Sequence, residues 1–247
     1  MNNKPIILDI DIPPFHFHWY KKGYKVEIPV ESIISVSTRE ETETEKKAKQ
    51  GDIEAQTILG DICFDKFDLK EALYWYEKAA KQGDSKAMVG IAKISFYFSD
   101  NDKFDAKAIQ WLKKAIKLGN ADAMNMLAWN FFTEAETMPK AVYWFKKAAN
   151  LGNTEAMWHL SDCYFFGEGT SKNSSLGVYW LTKAAEAGMI EAMHDLANCY
   201  RDSKGVEYDT EQAFHWYKKA AELGHSSAKK QVKYFKKYRK FNKKIKF

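Results

Sequence analysis

Apolar residues along most of this chain return at the period of a helix. Ala72, Trp75, Tyr76, Ala79 and Ala80 stand at i, i+3, i+4, i+7 and i+8, a single stripe on an amphipathic helix. Gly83 follows three residues later, where a helix ends on a left-handed residue that only glycine adopts without steric cost. The stripe then recurs. Trp75, Trp111, Trp144, Trp180 and Trp216 are spaced by 36, 33, 36 and 36 residues, and Gly119, Gly152, Gly188 and Gly224 close the later copies. A degenerate sixth copy, Lys47-Ala48-Lys49-Gln50-Gly51, precedes them.

Between these helices lies a second periodic set: Ala55, Leu59 and Cys63, then Ala87, Ile91 and Ser95, Ala123, Leu127 and Phe131, Ala156, Leu160 and Tyr164, and Ala192, Leu196 and Tyr200. Gly60, Ala92, Ala128, Ser161 and Ala197 keep one further position small, so paired helices can approach closely. Each unit therefore reads as two helices, with repeats at 52–83, 84–119, 120–152, 153–188 and 189–224. One such hairpin cannot bury both of its apolar faces, so neighbours must stack. The five tryptophans, recurring at the repeat period, are expected in the core.

The pattern resembles the Sel-one-like repeat family, relatives of the tetratricopeptide repeats, over roughly residues 48–224. The fifth repeat carries the resemblance in Ala192…Leu196-Ala197…Tyr200, Lys204-Gly205-Val206 and Ala213…Trp216-Tyr217-Lys218-Lys219-Ala220-Ala221…Gly224. The fourth shows the same elements around Gly167-Glu168-Gly169. Repeats 1 to 3 lack this glycine-rich loop and are expected to turn more tightly. The resemblance implies an all-α, right-handed α/α superhelical solenoid with a concave face lined by first helices. It also implies an adaptor, scaffold or inhibitor of other proteins, including bacterial immunity proteins that neutralise a delivered toxin.

The ends depart from the repeat. In residues 1–36, Pro5 to Ile12 alternates partly with period two, and Phe15–Tyr20 with Tyr24–Val30 around Lys21-Lys22-Gly23 reads as a β-hairpin. Residues 37–51 are charged and read as a polar capping helix. Residues 225–247 read as a capping helix on Ala228, Val232 and Phe235, followed by a basic tail.

Composition narrows the function. Residues 229–247 hold ten Lys or Arg and no acid, which leaves 28 basic against 33 acidic residues in 1–228, a formal charge of −5. The tail, with Lys236, Lys237, Arg239 and Lys240 on its exposed face, is a candidate electrostatic contact. Nucleic acid is the weaker reading of it, because no nucleic-acid-binding fold stands behind the run. Three cysteines, Cys63, Cys163 and Cys199, cannot all pair, and they read as small buried apolar residues in a reducing compartment. Met1 to Asp11 lacks the pattern of a secretory signal and no stretch approaches the ~20 apolar residues of a membrane span, so a cytoplasmic monomer is expected. His16 and His18 share a strand face without a visible third ligand. No phosphate loop, G-x-S-x-G, H-E-x-x-H or paired-cysteine motif is present, so neither catalysis nor a cofactor or metal is expected.

Binding is the better reading. By the tetratricopeptide analogy the concave face carries four columns of side chains. In the later repeats these include Glu155, then Asn125, Trp158 and His194, then Trp129, Asp162 and Asn198, then Phe132 and Arg201. Trp129 and Trp158 occupy positions where the repeat asks for no tryptophan, and tryptophan is enriched at interface hot spots. The expected function is a non-enzymatic protein-binding scaffold, with an immunity protein against a secreted toxin or effector as its most specific form. Its rivals are an adaptor for an endogenous partner and nucleic-acid binding through the tail.

Overall fold

The computed structural model describes residues 6–10, 24–28, 42–97, 105–132 and 134–245. Among them, one antiparallel strand pair precedes twelve helices. Strand β1 (Ile6–Ile10) pairs with β2 (Tyr24–Ile28) in the register Ile6 to Ile28 and Ile10 to Tyr24. The second strand thus falls where expected, but its partner is the alternating Ile6–Ile10 segment. The expected first strand, Phe15–Tyr20, lies outside the described residues, as do His16 and His18.

The chain forms two compact units, residues 1–98 and 99–247. The first holds α1 (Glu43–Lys49), α2 (Ile53–Asp65), α3 (Leu69–Lys81) and α4 (Ser85–Tyr97). The second holds α5 (Ala106–Lys117), α6 (Ala121–Phe132), α7 (Met138–Asn150), α8 (Thr154–Phe166), α9 (Ser174–Glu186), α10 (Ile190–Asp202), α11 (Thr210–Glu222) and α12 (Ser226–Ile245). Within each unit consecutive helices pack on one another, as stacked hairpins require. The boundary between the units falls between the two helices of the second repeat.

Local chemistry explains the helix ends. Gly83, Gly119, Gly152, Gly188 and Gly224 all have φ between 79° and 105°, the left-handed C′ conformation. The residue after each begins the next helix. Asp84 Oδ1 accepts from the Ala87 N–H at 2.7 Å, Asn120 Oδ1 from Ala123 at 2.9 Å and Asn153 Oδ1 from Ala156 at 2.7 Å. A glycine followed by Asp or Asn therefore ends one helix and starts another within two residues. Helix α1 opens with a capping box, Thr42 and Glu45 bonding each other's backbone N–H. Connections are short in repeats 1 and 3, at residues 66–68 and 133–137, as expected. Residues 98–104, between the two helices of repeat 2, lie outside the described residues.

The core is the pair of stripes read from the sequence, with one displacement. Ala87, Ala123, Ala156 and Ala192 are fully enclosed, and their Leu or Ile partners are at most 3% exposed. The small positions Ala92, Ala128, Ser161 and Ala197 are fully buried. On the second helices, Trp75, Trp180 and Trp216 are buried, whereas Trp111 and Trp144 are half-buried. The most enclosed large side chain is the one after each tryptophan: Tyr76, Leu112, Phe145, Leu181 and Tyr217 are 0–2% exposed. The core axis is thus one residue, about 100° of helix, beyond the tryptophan. The tryptophans flank it, with lysine ammonium groups over Trp111 at 4.1 Å and Trp216 at 4.6 Å.

Tyr76 shows how tight the packing is. Its ring lies between Gly60 on α2 and Gly90 on α4, where a Cβ at either glycine would stand under 3.0 Å from ring carbons. Its hydroxyl donates to Asp61 Oδ1 at 2.6 Å. Gly90→Ala is expected to destabilise the first unit by roughly 1–3 kcal/mol through overpacking, despite alanine's better helix propensity. Urea unfolding followed by circular dichroism checks this; an unchanged or raised midpoint contradicts it.

Candidate functional site on the first helices of the second unit

In the second unit the first-type helices α6, α8, α10 and α12 are bridged laterally by side chains. Asn153 Nδ2, at the start of α8, donates to Asp122 Oδ1 on α6 at 2.7 Å, and Asn125 Nδ2 on α6 donates to Glu155 Oε2 on α8 at 3.1 Å. Trp158 Nε1 on α8 donates to Asp195 Oδ2 on α10 at 3.1 Å. His194 on α10 stacks on His225, which precedes α12, with ring centroids 4.4 Å apart. The row is therefore a set of neighbours joined by specific contacts.

The predicted residues sort into three groups. Trp129 and Phe132 join Phe145 and His159 in an aromatic cluster, with edge-on contacts from Trp129 at 5.3, 5.8 and 4.3 Å respectively. Trp158, His194, Asn198 and Arg201 form a polar chain with Asp195, Tyr217 and Asp202. In that chain Tyr217 donates its hydroxyl proton to Asn198 Oδ1, and Arg201 donates to the Tyr217 oxygen at 2.8 Å. Arg201 also forks onto Asp202 through Nε at 2.7 Å and Nη2 at 2.6 Å, which raises the guanidinium pKa and lowers that of the carboxyl. Glu155, exposed, and Asn125 form the third group, while Asp162 stands half-exposed on α8.

One expected placement fails. Asn125 does not look into solvent: it is 4% exposed, like Thr57 and Val89 in the same column. Within the second unit that column is enclosed at Asn125, beside Glu155 of the next repeat, and opens at Trp158 and His194. Lys236 and Lys237 are exposed on α12, and Arg239 and Lys240 fall on the same helix beyond its described side chains.

Sequence reasoning gave no role to His159 and Asp195. They occupy one repeat position, with Ile58, Gly90 and Met126 as its other occupants, and both reach the preceding first helix, His159 at Trp129 and Asp195 at Trp158. Its variability is the signal that would have found it. It also passed over His225, whose Nδ1 accepts from the Ala228 N–H at 3.1 Å and so caps α12 where other repeats use Asp or Asn. Burial, and secondarily the neighbouring His194, lowers the His225 pKa. The three cysteines are free, and burial raises Cys163 to about 12 and Cys199 to about 11, the thiol character expected.

Among the described residues no cluster of three metal-ligand side chains occurs, and no helix is long and apolar enough to cross a membrane. The row offers hydrogen-bonding groups, carboxylates and aromatic faces on a rigid support. The fold is that of an α-helical repeat scaffold. Residues 53–84, 103–120, 121–153, 154–189 and 190–225 match the Sel1 repeat, and the chain belongs to the Sel1 repeat family. Sel1 repeats serve as protein-interaction scaffolds. The chain is similar to the Sel1-repeat-containing protein YjcO of Escherichia coli K12, 45% identical over 49 residues. That match spans only 20% of this chain and 21% of the relative. It is also similar in structure to c5321, a protective antigen of uropathogenic E. coli with an SLR fold. There the identity is 29% and the TM-score 0.66, over 79% of this chain and 44% of that one. A Sel1 repeat protein from Oxalobacter formigenes matches at 28% identity and TM-score 0.61, over 77% of both chains.

His159 makes the site acid-sensitive. Wedged among Trp129, Phe145 and Trp158, it is held by burial at about 3, so it stays neutral in the folded protein. The unfolded chain takes up a proton near 6.5, so the stabilisation is complete above that pH and is lost as pH falls from about 6.5 toward 3. The loss is roughly 1.4 kcal/mol per pH unit in that window. His159→Phe is expected to flatten this part of the stability profile, measured by urea unfolding between pH 7 and 4.5. Parallel profiles for the two proteins contradict the assignment.

Proposed function

We propose that this protein binds a partner protein on the first-helix face of the second unit and acts by holding or occluding it, without turnover. One observation carries the reading. Trp129 and Trp158 stay half-exposed on that face, each braced from behind: Trp129 by Phe132, Phe145 and His159, Trp158 by its bond to Asp195. A braced aromatic surface loses little side-chain freedom when a partner covers it, which favours a hot spot. What Sel1 repeats do in general supports the same reading.

The specific form we favour is an immunity protein, a cytoplasmic monomer that blocks a toxin or effector by covering its working surface. The support is the family resemblance together with a face that is preformed rather than folded on binding. An adaptor for an endogenous partner would use the same residues, and the identity of the protein recovered separates the two.

Affinity purification from the native host with wild type and with Trp129→Ala/Trp158→Ala is the test. The double variant is expected to fold and to recover at least about tenfold less partner, since each truncated hot spot costs ~2 kcal/mol or more. Undiminished recovery by the folded variant contradicts the site. A recovered partner with no toxic activity contradicts the immunity role and leaves the adaptor.

A further inference from the structure

Charge is divided between the two kinds of helix in the second unit. On α6, α8 and α10 the ionised side chains are Asp122, Glu155, Asp162, Glu191, Asp195 and Asp202, against the single Arg201. That arginine is already spent on Asp202. The second helices are the reverse: α5, α7, α9 and α11 carry ten lysines against Glu186, Glu211 and Glu222. The first-helix face is therefore anionic on a unit whose other helices are cationic.

A second observation lies at the seam of that face. Asn125 is 4% exposed, and its Nδ2 points at the exposed Glu155 carboxylate, 3.1 Å away. Its Oδ1, on the same amide, has no hydrogen-bond partner among the described residues. The bond from the enclosed amide fixes the Glu155 carboxylate in place on the surface, so a cationic donor meets it already oriented. The half-exposed faces of Trp129 and Trp158 flank the same region, and indole faces attract cations.

We propose that the partner engages this face through a lysine- and arginine-rich segment, with Glu155, positioned by Asn125, at the centre of the contact and Asp162 and Glu191 on either side. The inference rests on the reading above and adds the chemistry of the segment recognised. Carboxylates accept hydrogen bonds, so ammonium and guanidinium donors complement them and an acidic segment or a nucleic-acid backbone does not. The lysines of α12, Lys230 and Lys237, bound the anionic strip at one end and limit the segment to α6, α8 and α10.

The test is fluorescence anisotropy on the full chain with a labelled twelve-residue Lys/Arg/Ser peptide and a Glu/Ser peptide of equal length, at 50 and 300 mM salt. Expected is binding of the basic peptide alone, weakening at least about tenfold at the higher salt. Glu155→Gln/Asp162→Asn/Glu191→Gln is expected to weaken it about tenfold or more. Glu186→Gln/Glu211→Gln/Glu222→Gln, which removes the same charge from the second helices, should leave it unchanged. Asn125→Leu, charge-neutral, is expected to weaken it about threefold; if circular dichroism shows that variant misfolded, Asn125→Ser replaces it. Equal weakening by the two charge triples, preference for the acidic peptide, or salt-dependent self-association through α12 in place of peptide binding overturns the inference. If the peptide result fails while Trp129→Ala/Trp158→Ala still loses the native partner, the cationic segment is wrong and the docking face stands. If the peptide result holds and the tryptophan pair has no effect on the partner, the docking face is wrong.

Discussion

Burial between adjacent hairpins is the interaction on which the rest depends. An alanine, a leucine or isoleucine and one small residue on each first helix fit against the residue after the tryptophan on the second, and neither helix hides its stripe alone. The apolar gain is spread over many contacts of modest size, with no single centre. The glycine and the Asp or Asn cap that follow one another at Gly83, Gly119 and Gly152 support this. They let helices reverse within two residues, which keeps consecutive stripes in register.

The same packing makes the face. Once first helices lie side by side, their outward columns become neighbours in space although 30 to 37 residues apart in sequence. Trp129 meets His159, Trp158 meets Asp195 and Asn125 meets Glu155 across those seams. Side chains braced this way form a surface whose geometry exists before a partner arrives. The charge division adds polarity, because lysines collect on the second helices and on α12 while carboxylates collect on α6, α8 and α10.

Much of this was legible in the sequence, for a physical reason. Helical periodicity and the recurring Trp…Gly frame report local constraints, and these give the helices, the repeat and its small positions. Whatever depends on the rotation of a helix in its groove was less legible. Tryptophan looks like the centre of the stripe because it is the largest residue, yet Tyr76, Leu112, Phe145, Leu181 and Tyr217 are deeper. Asn125 reads as exposed because the tetratricopeptide analogy puts its column on the concave face, yet the seam encloses it, and periodicity alone does not say which columns face a neighbour. The strand partner of Tyr24–Ile28 was likewise assigned to the nearest alternating segment, whereas the pairing skips to Ile6–Ile10. His225 stayed hidden because a histidine in an Asp/Asn cap position carries no sequence signature.

Native-state hydrogen exchange across the second unit, in increasing urea below the unfolding transition, tests the central claim most directly. If lateral burial between hairpins holds the unit together, amides of α8, α9 and α10, with neighbours on both sides, will require the largest opening free energy. Those of α5 and α12, at the ends of the stack, will open first. One shared opening free energy from α5 to α12, or end helices as protected as the middle, would contradict it.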